Sequence, residues 1–211
     1  MDMQRRAFVS SLFLSICLLS AALMGNLPVQ AQTLDVDAIL HDPDAPAGGN
    51  PKGDVTIVAF LDYNCPYCKK SAPELEKIVK TDGHIRLVYK DWPILSAASV
   101  YGAKLALAAA YQGQYETVHK ALMDLPGRRI KEDAMLAAVK ATGVDMGRLQ
   151  ADAATHADAI TALLRRNLDQ ANALGLEGTP VYLVGPFRTS TLDYEGFKQA
   201  VADARKKQAG Q

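Results

Sequence analysis

The residues of this chain best suited to chemistry are two cysteines three positions apart, in the segment Cys65-Pro66-Tyr67-Cys68. Such a pair has three common meanings: half of a zinc site, a structural disulfide, or a redox-active dithiol. A zinc site needs two further ligands at close spacing. The histidines that could supply them are isolated from one another along the sequence: His41, His84, His119 and His156. A disulfide across two residues closes a very small loop and stabilises a fold little. The redox-active pair is therefore favoured, with no metal site and no bound cofactor.

The position of the pair also favours redox chemistry. The continuous apolar run Thr56–Leu61 predicts a strand buried on both faces. Pro66 suits the first turn of a helix, where its missing N–H costs nothing. Cys65 is thus predicted at a helix N-terminus, where free N–H groups and the helix dipole stabilise a thiolate, and Cys68 lies one shielded turn further in. We expect Cys65 to attack a disulfide and Cys68 to resolve the mixed disulfide, or the reverse in the oxidising direction.

The surrounding sequence predicts the elements that hold the pair. A short helix is expected over residues 33–40 and a loop over residues 41–51. The helix that starts at Pro66 is expected to reach about Lys80. Residues 85–89 predict a second strand, parallel to the first, because strand–helix–strand crossovers normally make parallel pairs. Between about Ser96 and Leu174, Ala-rich helical periodicity predicts four or five helices and no strand.

Strand character returns near the C-terminus, directly after Gly178-Thr179-Pro180. Proline at the start of a strand is one of the few positions that a sheet tolerates, and an ordinary trans proline ending a loop is the alternative. The strand is expected over residues 180–184, with a turn at Gly185-Pro186. A short edge strand over residues 187–190 and a closing helix over residues 192–206 complete the prediction.

The N-terminus has the features of an export signal. Arg5-Arg6 precede the largely apolar run Ala7–Met24, and Val29-Gln30-Ala31 offers small side chains for cleavage after Ala31. The segment around Arg5-Arg6 also resembles a twin-arginine signal. An uncleaved membrane anchor is the alternative, although the run is short for a span. Residues 1–31 are therefore interpreted as a signal peptide and the mature protein as periplasmic, where disulfides form and persist.

The charge balance excludes a strongly basic or acidic partner surface for the chain as a whole. The 211 residues include 23 Lys plus Arg and 23 Asp plus Glu, so no overall field favours nucleic acid or an anionic membrane. Two clusters of cations, at residues 128–131 and at Arg165-Arg166, are interpreted as solvated surface.

The segment Asp62-Tyr63-Asn64-Cys65-Pro66-Tyr67-Cys68, with Gly178-Thr179-Pro180 far downstream, resembles the DsbA-type thioredoxin-like proteins of bacterial envelopes. Residues 42–54 and residues 90–95 are also similar to that family, so the likeness covers nearly the whole predicted mature chain. The Cys-Pro-Tyr-Cys motif alone also occurs in cytosolic glutaredoxins, and the specificity comes from the motifs together.

The resemblance implies an α/β, thioredoxin-like fold, a central mixed sheet flanked by helices, with an inserted all-α domain. The expected division is an N-terminal segment (32–53), the first part of the core (54–95), the helical domain (96–174) and the second part of the core (175–211). It also implies a cis Thr179–Pro180 bond, with the Thr179 backbone beside the Cys65 sulfur to pair with a substrate strand. Many relatives carry a buried acid six residues before the first cysteine, where this sequence has Ala59. Lys90 is one candidate to replace it in proton transfer to Cys68.

Three functions are compatible with these features. The favoured one is a monomeric dithiol oxidase that donates its disulfide to exported proteins and is served by a membrane redox partner of the DsbB or DsbD kind. An isomerase or reductase kept in the dithiol form by such a partner is the second. A copper-binding protein using Cys65 and Cys68, or a chaperone, is the third. The dipeptide Pro66-Tyr67 leaves the direction of electron flow open.

Overall fold

The computed structural model describes residues 35–210. The predicted signal peptide, its cleavage site and the start of the first predicted helix lie outside these residues. Residues 35–210 contain five strands and eight helices, numbered here in chain order. The strands are β1 (Ala47–Gly49), β2 (Val55–Leu61), β3 (Ile85–Asp91), β4 (Val181–Val184) and β5 (Phe187–Thr189). The helices are α1 (Val36–Leu40), α2 (Pro66–Asp82), α3 (Ala97–Ala110), α4 (Tyr115–Met123), α5 (Glu132–Ala141), α6 (Met146–Thr155), α7 (Ala157–Ala173) and α8 (Tyr194–Ala209).

The five strands form one mixed sheet in the order β1-β3-β2-β4-β5. β2 and β3 are parallel, with Ala59 opposite Tyr89 and Leu61 opposite Asp91, as the crossover through α2 requires. β4 is antiparallel to β2, and β5 is antiparallel to β4. The carboxyl end of β2, where the chain turns into α2, therefore lies near the middle of the sheet.

The sheet is buried on both faces because alternate residues of its central strands enter two different cores. On one face Ile57, Ala59 and Leu61 of β2 pack with α2, α8 and the helices that follow β3. On the other face Val58 and Phe60 pack with residues of α1 and α7. This alternation follows from the period of two along a strand. It explains why β2 is continuously apolar.

The predicted elements are largely confirmed, and one strand was missed. Five helices, α3–α7, lie between β3 and β4, where four or five were expected. α2 ends at Asp82, two residues later than expected, with Gly83 as a left-handed cap at φ 73°. Residues 47–49 were predicted as loop, but they pair with the edge of β3. Ala-Gly-Gly has no strand propensity of its own. The pairing depends on backbone hydrogen bonds, which a pattern of side chains does not predict.

Candidate active site

Cys65 occupies the N-cap of α2, as predicted from the strand–helix junction. Its Sγ accepts a hydrogen bond from the Cys68 backbone N–H at 3.4 Å, the interaction that a capping side chain makes with a free N–H of the first turn. Both cysteines are thiols. Their residues are 3% and 0% exposed, respectively. Both residues are thus buried, and Cys68 lies one turn further along the helix.

The residues just before Cys65 fix the turn into the helix. One carboxylate oxygen of the buried Asp62 accepts from the Asn64 N–H at 2.7 Å, and the other accepts from the Leu95 N–H at 2.9 Å. The backbone N–H of Asp62 donates to Cys68 Sγ at 3.5 Å. Asp62 and Asn64 belong to the family motif, and the sequence pattern alone assigns them no role. Short polar side chains in a turn that leads into a helix are the signal for such a role.

The loop before β4 lies against Cys65, as the family resemblance implied. The Thr179–Pro180 peptide bond is cis. The Cys65 thiol donates to the Thr179 carbonyl oxygen at 3.1 Å. The Thr179 hydroxyl is buried and has no hydrogen-bond partner while both cysteines are thiols, although it lies close enough to both sulfur atoms to influence their ionisation. The structure therefore brings together residues that are 114 positions apart.

The two thiols have pKa values pushed in opposite directions. The pKa of Cys65 falls from its ordinary value of 9.0 to about 6. The main cause is the hydrogen bond from the Cys68 thiol, assisted by Thr179 and by the backbone N–H groups of the first helical turn, while burial opposes the change. Burial is also the main reason why the pKa of Cys68 is raised well above 9.0. An acidic outer thiol beside a weakly acidic inner thiol suits nucleophilic attack followed by resolution.

The surface around Cys65 exposes several large apolar side chains. Tyr67 is 59% exposed, Ile94 41% and Leu95 53%. Pro66 is half-buried at the first position of α2. Tyr67 places no cation next to the sulfur, so the low pKa of Cys65 comes from hydrogen-bond donors. The exposed ring leaves an apolar rim that an extended peptide can contact.

The structure does not support Lys90 as a proton-transfer group for Cys68. Lys90 is fully buried, and its Nζ lies 2.7 Å from Asp42 Oδ2. It pairs in register with Phe60, whose side chain enters the core on the opposite face of the sheet from Cys68. Sequence position alone could not separate the two faces, because adjacent strand residues alternate between them. Lys90 and Asp42 form a structural ion pair, which Arg166 extends with hydrogen bonds to both Asp42 oxygens.

A buried polar cluster lies on the same face of the sheet as Cys68, and the sequence analysis missed it. Asp91, at the end of β3, accepts from the Tyr115 hydroxyl at 3.0 Å, and burial raises its pKa to about 7. The Tyr63 hydroxyl and His119 Nδ1 are 2.9 Å apart, and burial lowers the pKa of His119 to about 3. His119 is therefore a neutral core residue at pH 7. In the described residues no group of three or more His, Cys, Asp or Glu is arranged to hold a metal ion.

Comparison with known proteins agrees with this geometry. The thioredoxin family profile matches residues 41–203 of the chain. The crystal structure of a thioredoxin-like oxidoreductase from Silicibacter pomeroyi DSS-3 is 40% identical and has a TM-score of 0.76, covering 82% of this chain and 98% of that one. The thiol-disulfide exchange protein alpha-DsbA2 of Wolbachia pipientis is 28% identical with a TM-score of 0.74, covering 79% of this chain and 90% of that one.

The similarity to curated proteins covers only part of those proteins. The Na(+)/H(+) antiporter NhaA 1 of Salinispora arenicola (strain CNS-205) is 26% identical over 167 residues, which are 77% of this chain and 25% of the antiporter. The chain thus spans about a quarter of the length of the curated relatives that it matches. Among residues 35–210, no helix is both long enough and apolar enough to cross a membrane.

The fold is therefore thioredoxin-like, with a mixed five-stranded sheet and helices inserted between β3 and β4, as expected from the resemblance. Enzymes of this kind use a cysteine pair and no cofactor. The profile match over residues 41–203 shows that the chain belongs to the thioredoxin family, and its similarity to a thioredoxin-like oxidoreductase and to a thiol-disulfide exchange protein identifies it with the DsbA-type members of that family.

Proposed function

We propose that this protein is a dithiol oxidase that passes the disulfide between Cys65 and Cys68 to exported proteins. The observation that carries the proposal is the position of Cys65 at the N-cap of α2, where the Cys68 N–H donates to its Sγ at 3.4 Å and the Thr179 carbonyl lies 3.1 Å away. In this position the pKa of Cys65 falls to about 6. Cys65 is ionised at pH 7 only in the dithiol form, so a low pKa stabilises that form and makes the disulfide more oxidising. The opposite shift at Cys68 keeps the inner thiol protonated.

The reaction proceeds in two exchanges. A substrate thiolate attacks Cys65 Sγ in the oxidised protein, the Cys65–Cys68 bond breaks, and Cys68 leaves as a thiolate that takes up a proton. The second substrate thiolate then attacks the substrate sulfur of the mixed disulfide, and Cys65 leaves as a stabilised thiolate. The substrate loses two electrons and gains a disulfide, while the protein becomes a dithiol. A membrane redox partner accepts these electrons and restores the disulfide.

The substrate is held in an extended conformation between the Thr179-Pro180 loop and the apolar rim. The proposal is supported by the 3.1 Å distance between Cys65 Sγ and the Thr179 carbonyl oxygen, since that backbone edge lies beside the reacting sulfur. Tyr67, Ile94 and Leu95 supply the exposed apolar surface. Backbone pairing combined with a few apolar contacts is suited to many unfolded substrates.

We place the mature enzyme in the periplasm, starting at Gln32 after removal of residues 1–31. The division into core (54–95 and 175–211) and helical domain (96–174) is likewise proposed. The intact mass of the protein recovered from the periplasmic fraction of expressing cells tests the export proposal. A mass that includes residues 1–31, or recovery in the cytoplasm alone, would refute it.

The redox equilibrium with glutathione tests the direction of electron flow. Residues 32–211 are equilibrated with defined ratios of reduced and oxidised glutathione, and the fraction of Cys65–Cys68 disulfide is measured. A potential above that of thioredoxin (about −270 mV), in the direction of that of DsbA (about −120 mV), is expected for a disulfide donor. A value near or below −270 mV would refute the oxidase proposal and make a reductase or a partner-reduced isomerase the better account.

A further inference from the structure

A cleft of about 470 Å³ lies directly beside the redox pair, between the first turns of α2 and the loop that follows α4. Pro66, Lys69 and Lys70 line it from the helix, and Asp124 and Arg128 line it from the loop. Pro66 is the residue next to Cys65. A substrate that reaches the Cys65 sulfur therefore passes close to this cleft.

The loop is held against the active-site helix at two points. Near its start, Lys69 Nζ donates to the carbonyl oxygens of Leu122 and Leu125, both at 2.9 Å. At its end, the Ile130 N–H donates to Asn64 Oδ1 at 2.7 Å, and Asn64 Nδ2 donates to the Ile130 carbonyl at 3.2 Å. Asn64 immediately precedes Cys65. The position of the loop is thus coupled to the position of the reacting cysteine.

Between these two points the loop carries Arg128 and Arg129, and both are exposed. Lys70, on the other side of the cleft, is exposed as well. The carboxylate of Asp124 is already paired with Lys120 at 3.0 Å. Within residues 35–210 the ion pairs use other cations: His41, Lys90, Lys120, Arg148, Arg166, Lys198, Arg205 and Lys206. Lys70 and Arg128, which both line the cleft, and Arg129, the next residue of the loop, are therefore exposed cations outside these ion pairs on a chain with no net charge.

The backbone conformation at Arg129 supports a functional role for the side chains of this loop. Arg129 has a φ of 55°, and it alone among the non-glycine residues of 35–210 has a positive φ. An arginine in this region costs free energy that a glycine or asparagine would not, and such outliers cluster at functional sites. The loop thus holds an arginine in this conformation one residue before Ile130, which is tethered to Asn64.

We propose that Lys70, Arg128 and Arg129 bind acidic residues that flank the reacting cysteine of a protein substrate, so that this enzyme prefers thiols in acidic segments. The inference rests on the proposed function. Carboxylates match the guanidinium groups in charge and geometry. Exposed charges of this kind raise the association rate more than they raise the affinity, and salt screens the effect. The two arginines, interpreted from sequence as solvated surface, thereby become specificity determinants.

Two model peptides test the proposal. Each contains the same pair of cysteines, flanked in one by glutamates and in the other by glutamines at the same positions. The second-order rate of peptide oxidation by the oxidised protein is measured at low and at high salt by acid quenching and mass spectrometry. The variant R128Q/R129Q is compared with K140Q/R165Q, which removes two exposed cations from α5 and α7 and so changes the net charge equally.

The unaltered protein is expected to oxidise the glutamate peptide about three- to tenfold faster than the glutamine peptide at low salt, with the preference lost at high salt. In R128Q/R129Q, which keeps Lys70, the preference is expected to fall to less than about half, and in K140Q/R165Q the full preference remains. Equal rates in the unaltered protein, or a preference that survives undiminished in R128Q/R129Q, would overturn the inference while leaving the oxidase proposal intact. An equal loss in K140Q/R165Q would also overturn it, because net charge alone would then be responsible. Oxidation of neither peptide would overturn both the inference and the proposed function.

Discussion

Replacing Thr179 by valine removes a hydroxyl group from beside the Cys65 sulfur while keeping the branched shape of the side chain. In the dithiol form that hydroxyl is buried without a partner, so it is free to donate once Cys65 ionises. A hydrogen bond to a charged group contributes about 1.5–3 kcal/mol, and one pKa unit corresponds to about 1.4 kcal/mol. Because sulfur is a weak acceptor, we expect the valine variant to raise the pKa of Cys65 from about 6 to about 7.

The consequence for the reduction potential follows from linkage. A lowered Cys65 pKa stabilises the dithiol form in full above pH 9, and this stabilisation is lost as the pH falls through 6. At pH 7 a pKa of about 6 in place of 9.0 stabilises the dithiol form by about 1.4 kcal/mol, or about 30 mV. A pKa of about 7 leaves about 0.4 kcal/mol, so Thr179→Val is expected to lower the potential by about 20 mV.

The assays are the pH titration of thiolate absorbance in the near ultraviolet and the glutathione equilibrium at pH 7. Thr179→Ser is the matched control, because it keeps the hydroxyl and is expected to keep both values close to those of the unaltered protein. An unchanged pKa in Thr179→Val would refute the assignment of the hydroxyl as a donor to the thiolate. An equal rise in Thr179→Ser would refute it as well, since loss of packing would then explain both.

Three further predictions concern the scaffold of the site. The pKa of Asp91 is raised to about 7, so the folded protein holds a proton that the unfolded chain releases near 3.8, and stability falls as the pH rises from about 4 to about 7. In Asp91→Asn, urea unfolding of the oxidised protein is expected to show a smaller fall over this range. An identical pH profile in the variant would contradict the assignment. Lys90→Met removes one cation from the buried carboxylate of Asp42 and is expected to cost about 3 kcal/mol of stability. Lys120→Met, at an exposed pair, is expected to cost less than about 1 kcal/mol. Equal costs would show that burial does not set the strength of the Lys90 pair. Gly53→Ala would place a Cβ 2.5 Å from the backbone nitrogen of Arg86 and is expected to destabilise the β1–β3 edge. The Cβ of Gly178→Ala meets nothing within 4 Å, so this variant is the control. Thermal melts that rank the two variants in the opposite order would contradict this packing.

The sequence was sufficient for the parts of the site that depend on local patterns. The apolar run of β2, the proline at the first position of α2 and the glycine that ends this helix each specify one element through its own chemistry. Together they place Cys65 at the helix N-terminus without any long-range information. The approach of Thr179 to Cys65 required the family resemblance, because no local pattern joins residues 114 positions apart.

What the sequence could not supply depends on which face of the sheet a residue occupies. Lys90 and Asp91 are neighbours in the sequence, but Asp91 lies on the face of Cys68 and Lys90 on the opposite face. The sequence pattern does not predict strand β1, because its residues have no strand propensity and pair only through their backbone. The hydrogen bonds between Asn64 and Ile130 join two loops 66 residues apart, so only the three-dimensional structure shows that they hold the loop carrying Arg128 and Arg129.

The central claim is that Cys65 is the nucleophile and Cys68 the resolving thiol. It is tested most directly by incubating the reduced single variants Cys68→Ser and Cys65→Ser with a peptide disulfide at pH 7 and following mixed-disulfide formation by mass spectrometry. Serine is used because its hydroxyl can replace the Cys68 thiol as the donor that lowers the pKa of Cys65. At this pH a thiol with a pKa of about 6 is mostly ionised, whereas a buried thiol with a pKa above 9.0 is about 1% ionised or less. The account predicts that Cys68→Ser forms the mixed disulfide at least about 100-fold faster than Cys65→Ser. Comparable rates, or faster reaction of Cys65→Ser, would contradict it.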